Sequence, residues 1–165
     1  MKRCVLYCMA IAWIGCTTKV SKITDICRDT LTMNTFLHQD IGGDKVISYN
    51  SYDNGRVNRY HFVRKDGRCI LTEHALQYKP DSTRDGDDGI TRYVDTLLHR
   101  MDRMGIRAIK ADTTGSGIDL TIYPMDADGL LFYVKDPQKV TAPSWVKYLR
   151  SIEKIDEHWY YDKKA

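Results

Sequence analysis

The 165-residue chain is short of the features that most readily announce a function. It has no apolar run of the roughly 20 residues that a helix needs to cross a bilayer. Neither sign of charge prevails, with 25 Lys and Arg against 22 Asp and Glu. That balance gives no electrostatic case for nucleic acid or an anionic membrane face. Beyond residue 15 no two cysteines stand at metal-ligand spacing, and the five histidines (His38, His61, His74, His99 and His158) include no H-x-x-x-H pair. His61 and His74 fall on neighbouring predicted strands, as residues of any type can. The stretch "TTGSGID" at 113–119 lacks the lysine of a phosphate-binding loop and runs into a strand pattern, so it reads as a hairpin connection. Ser116 lacks the G-x-S-x-G setting of a hydrolase nucleophile, and Cys27 and Cys69 lack a recognisable histidine partner. No cofactor motif and no metal site are expected.

What is present begins at the amino terminus, "MKRCVLYCMAIAWIGCTTK". Lys2 and Arg3 precede an uninterrupted apolar stretch over 4–14, then Gly15, Cys16 and a polar switch at Thr17. A positive start, a short apolar core and a small residue at the cut are the parts of a secretory signal. An amphipathic core helix of this length would carry polar positions at helical spacing, and residues 4–14 carry none. "WIGC" resembles a lipobox, the tetrapeptide of bacterial lipoproteins. Gly15 and Cys16 match the pattern, Ile14 fits it, and Trp13 stands where leucine is usual. The resemblance covers residues 1–16. It implies diacylglycerol transfer to the Cys16 thiol, cleavage after Gly15 and acylation of the new amine. Several buried acyl chains, at about 0.8 kcal/mol per methylene, would hold the chain to a membrane without a spanning helix. Because Thr17 is not the aspartate that retains such proteins at the inner membrane, the resemblance implies the outer membrane, periplasmic face.

Residues 1–15 are thus expected to be a signal peptide, 16–22 a lipidated tether and 23–165 a single domain. Cleavage would leave 23 basic and 22 acidic residues, a net charge of +1. It would also leave Cys27 and Cys69 as the cysteines not committed to lipid. In an oxidising compartment the two are a candidate disulfide; otherwise they are small buried hydrophobes.

The body of the chain reads as an α+β fold with a mainly antiparallel sheet, in the order α-βββ-α-βββ-α and with helices packed on the sheet. Apolar residues at 23, 26, 27, 31 and 37 suggest a first helix, ended by the glycines of "IGGDK" at 41–45. Strands are predicted over 45–52, 56–64 and 68–78. They are joined at Asn54-Gly55 and Asp66-Gly67, dipeptides that supply the positive φ angles of two-residue hairpins. Ile90, Tyr93, Val94, Leu97, Leu98 and Met101 form one stripe of a helix over 90–104, with Arg100 on the wet side and Gly105 as its left-handed cap. Strands over 106–111, 117–124 and 130–136 follow. A last helix begins at Pro143, with Trp145, Tyr148, Leu149 and Ile152 on one side and Ile155 and Trp159 near it.

Two features remain as candidate sites. Asp81, Asp85, Asp87 and Asp88 crowd one loop, but a calcium loop started at Asp81 would place Arg92 where the bidentate acid belongs. Acidic residues ahead of a helix also serve as caps and dipole partners. "HWYY" at 158–161 makes Trp159, Tyr160 and Tyr161 a candidate partner-binding patch, since Tyr and Trp join apolar area to a polar handle. The leading expectation is a non-catalytic, lipid-anchored accessory protein that binds another protein of a bacterial envelope. An exposed apolar patch on the final helix or a sheet edge would favour it. The alternatives are a metal-assisted periplasmic hydrolase using the 81–88 carboxylates, which needs a polar cleft where they converge, and a small-ligand carrier, which needs an apolar cavity.

Overall fold

The computed structural model describes residues 23–76 and 88–165. The lipobox-like leader, the tether, and Asp81, Asp85 and Asp87 lie outside the described residues. The Asp88 side chain does too, although its backbone opens a helix.

The α+β architecture is as expected: helices flank one antiparallel sheet of nine strands, ordered β4-β3-β2-β1-β5-β6-β7-β9-β8. Helical residues 23–28 (α1) and Thr30–Asn34 (α2) lead into β1 (Gln39–Gly43), β2 (Val46–Asp53), β3 (Arg56–Lys65) and β4 (Arg68–Leu76). The long helix α3 (Asp88–Met104) precedes β5 (Ile106–Ala111), β6 (Leu120–Pro124) and β7 (Leu130–Tyr133). A 3-10 turn (Pro137–Lys139), α4 (Pro143–Ser151), β8 (Glu153–Lys154) and β9 (Trp159–Asp162) complete the chain. No helix among the described residues is long and apolar enough to cross a membrane.

The β2–β3–β4 meander forms at the expected dipeptides. Asn54, Gly55, Asp66 and Gly67 all have positive φ, which lets each two-residue turn follow the twist of its strands. On α3, Val94, Leu97, Leu98 and Met101 are buried against the sheet, and Gly105 at φ 67° caps the helix. Tyr93 sits at the edge of that stripe, 41% exposed, edge-on to Tyr49 and bonded to Gln39 Nε2.

Three parts of the expected order are corrected. Residues 41–43 are not a helix terminator but part of β1, which joins the two halves of the sheet. A Cβ at Gly42 would lie 2.7 Å from that of Ala108, so the glycine permits the close pairing of β1 with β5. The last helix stops at Ser151, since Ile152 is extended (φ −109°, ψ 171°). Trp159, Tyr160 and Tyr161 belong to a strand, where β-prone aromatics alternate between faces.

That alternation produces two cores. Leu131, Tyr133, Trp159 and Tyr161 join the large core beneath α1, α2 and α3. Phe132, Val134 and Tyr160 face the other way and form a smaller core with Ile118, Val140 and Leu149 under α4. Helix α4 packs over β7 and β9 on this second face. On the other half of the sheet, Val46, Val63 and Ile70 pair across three strands as an exposed row, 61%, 38% and 51% accessible.

Candidate functional site: a groove between the last helix and the sheet edge

Asp136 caps the 3-10 turn by accepting from Gln138 N–H at 3.1 Å, and Pro137 fixes its first φ. Gly117, at φ 86°, lets the turn rest directly on the loop before β6. A Cβ there would stand 2.6 Å from the Lys139 carbonyl oxygen and 2.8 Å from the Val140 Cα. The contact holds Val140 against the sheet. Three residues on, α4 starts at Pro143 and lays Trp145 and Tyr148 edge-on to Phe132, with ring centroids 6.0 and 5.6 Å away. Tyr148 donates its hydroxyl to Asp162 Oδ2 at 2.5 Å, tying the helix to β9. Burial and this bond push the Tyr148 phenol up to about 12, and the same bond holds the Asp162 carboxyl below its ordinary range.

Between the turn, α4 and β8 runs an open groove of about 650 Å³, within the size range of ligand sites. Its floor is Val140, Leu149 and Tyr160, all buried; Pro137, Gln138, Val146 and Ile152 form its walls. Two cations complete the lining, Arg150 from the last turn of α4 and Lys154 from β8, and the lining contains no carboxylate. Lys154 Nζ lies 5.8 Å from the centre of the Tyr160 ring. Its neighbour Glu153 takes the opposite face of the strand and pairs with Lys163 at 2.7 Å.

A second, smaller cleft of about 280 Å³ brings Asp25, Asp29, Asp102 and Asp126 near one another. Three of these acids serve structure: Asp29 caps Thr32 N–H at 3.0 Å, Asp102 pairs with Arg64 at 2.8 Å, and Asp25 faces Arg28 at 3.8 Å. Among the described residues no group of three or more His, Cys, Asp or Glu is arranged to hold a metal.

Cys27 and Cys69 are free and buried rather than bonded to one another. The electrostatic neighbour of Cys27 is Asp156, on the turn before β9, and that of Cys69 is Asp95 on α3. Because β4 and β9 lie toward opposite edges of the sheet, the two thiols have separate surroundings. Burial pushes each thiol up to about 12, with Asp156 adding to the effect at Cys27 and the Asp95 hydrogen bond adding at Cys69. Trp159, Tyr160 and Tyr161 are 1%, 8% and 8% exposed, so they do not form a surface patch. Tyr161 donates to the Asp128 carbonyl at 2.7 Å, and Tyr160 alone of the three reaches the groove. His61 lies opposite Ser48 and Glu73, while His74 stacks on Tyr60 with centroids 4.2 Å apart. The 113–119 loop is the expected hairpin connection. Asp112 organises it by accepting from Thr114 N–H, Thr114 Oγ1 and Ser116 N–H at 2.8, 2.6 and 2.7 Å.

No family model, no curated protein and no solved structure matches this chain.

Proposed function

We propose that the chain is a non-catalytic binding protein of a bacterial envelope, anchored by lipid on Cys16 at the periplasmic face of the outer membrane, that holds another envelope protein in the α4 groove. The supporting observation is the groove itself, an apolar floor with a cationic rim on the final helix and the sheet edge. The "WIGC" leader supports the anchor, since a thiol after a small residue is the acceptor that the lipidation chemistry uses. Palmitate labelling and membrane fractionation of wild type against Cys16→Ser test the anchor. Wild type should label and sediment with outer membranes, and the serine variant should do neither, because a hydroxyl does not accept the diacylglycerol as a thioether. A photo-crosslinker at Val146 tests the groove, with the exposed Arg107 position as control. A discrete protein adduct at Val146 alone is expected; its absence in intact cells would remove the groove from the proposal.

A further inference from the structure

The groove carries information about the chemistry of its occupant. Arg150 and Lys154 have no carboxylate partner among the described residues, and Glu153, the acid next to Lys154 in the chain, is turned away and bonded to Lys163. The floor between them is apolar. The groove also runs along an open strand. β8 bonds β9 on one side, and no strand among the described residues flanks its other side. In an antiparallel ladder only every second residue exchanges hydrogen bonds with a given neighbour. One of Glu153 and Lys154 therefore directs both its N–H and its C=O outward. An occupant that covers these groups displaces water from them and must supply donors and acceptors of its own, which a peptide backbone has and a hydrocarbon chain lacks.

We infer that the groove binds an extended, acidic segment of a partner protein, added as a strand to β8, with an apolar side chain on the floor and a carboxylate two residues away against Arg150 and Lys154. The spacing follows from strand geometry, since residues i and i+2 share a face. Main-chain bonds to a sheet edge with side-chain pockets beside it are a general mode of peptide capture. The two cations set the sign of what enters: a lysine at the same position would meet like charge, which costs affinity and excludes such partners. This inference rests on the groove being the binding surface.

The test uses the full chain in detergent micelles and labelled, terminally blocked pentapeptides read by fluorescence polarisation. Val-Thr-Glu-Thr-Val places Val, Glu and Val on one face; Val-Thr-Lys-Thr-Val reverses the charge. The acidic peptide should bind saturably and at least about tenfold more tightly than the basic one, equivalent to about 1.4 kcal/mol. The double variant Arg150→Glu, Lys154→Glu should invert that order while circular dichroism shows the fold intact, both side chains being exposed. Methylating the backbone nitrogens of the acidic peptide should abolish binding. Equal affinity for both peptides, an acidic preference that survives in the double variant, or no peptide binding overturns the inference. So does displacement of the acidic peptide by laurate with no loss on nitrogen methylation, which would assign the groove to an anionic lipid. If the Val146 crosslink forms in cells while the peptides fail, the chemistry inferred here falls and the binding surface stands; if both fail, so does the surface.

Discussion

The Asp40 carboxylate accepts the Ala111 N–H at 2.8 Å and so fastens β1 to β5 beyond the end of their ladder. Its second oxygen accepts the Tyr52 hydroxyl at 2.5 Å. One side chain thereby spans three strands at the seam between the two halves of the sheet, where the paired positions are Ile41 with Ile109 and Gly42 with Ala108. Asp40→Ala leaves the Ala111 amide without its acceptor and should cost about 1–3 kcal/mol. Asp40→Asn, which keeps an acceptor oxygen, should cost less. Urea unfolding of the two variants checks the order, and equal losses would mean that the bond to Ala111 contributes nothing.

The α3 stripe makes a separate prediction. Leu97 is 1% exposed and packs in the large core, so Leu97→Ala should destabilise by about 2–5 kcal/mol through lost contacts and a residual cavity. His99, on the exposed side of the same helix, should tolerate alanine within about 0.5 kcal/mol. Similar denaturation midpoints for both variants would place the stripe outside the core.

Gly117 should accept no side chain. Its left-handed φ is strained for other residues, and a Cβ meets backbone rather than a side chain that could swing aside. Gly117→Ala should lower stability by about 1–3 kcal/mol and displace the 3-10 turn from Val140, loosening the groove. Hydrogen exchange reads this locally, as faster exchange over 137–140 with the β2–β3 hairpin unchanged. Wild-type protection at those amides would show that the turn does not depend on the glycine.

Alkali should unfold the protein through groups that the fold keeps neutral. Cys27, Cys69, Tyr52 and Tyr148 are raised to about 12 from ordinary values of 9.0 for the thiols and 10.0 for the phenols. Burial is the main cause at each. A group raised by folding stabilises fully below its unfolded value and loses that contribution as pH climbs to its folded one. Stability should therefore hold up to about pH 9 and fall progressively between 9 and 12. Urea midpoints measured across that range check it, as does a thiol reagent at pH 8. The reagent should leave both body cysteines unmodified in the native protein and label both in denaturant.

Features encoded locally could be read from the sequence. Asn54-Gly55, Asp66-Gly67 and Gly105 occupy their turns and cap because backbone sterics act within a few residues, and the Ile90–Met101 spacing needs only one helix to be seen. β1 escaped because its glycines look like a terminator until Ala108, far along the chain, is placed beside Gly42. The "HWYY" segment was conspicuous for its aromatics, but its period of two, sending Trp159 and Tyr161 to one core and Tyr160 to the other, emerges only once β7 lies next to it. The groove had no local signal. Val140, Arg150 and Lys154 converge because Gly117 seats a turn against one loop and Ile152 ends a helix, two events with no shared motif.

The position of β1 also has a consequence for the order in which the chain can be built. Its first neighbour, β2, follows within a few residues, but its second, β5, arrives only after the remaining meander and the whole of α3. Any chain that emerges amino terminus first, from a ribosome or through a membrane pore, therefore presents four strands with an open inner edge before that edge can close. Long-range pairing of this kind pays its loop-closure entropy before contacts repay it, and it slows folding. At the other end of the described strands, β4 is bent where Thr72 is left over between Leu71, opposite Phe62, and Glu73, opposite His61. Such a bulge discourages pairing with a second unfinished copy. Among the described strands, the half-made sheet is thus guarded at β4 and open at β1, the edge that its own later residues will fill.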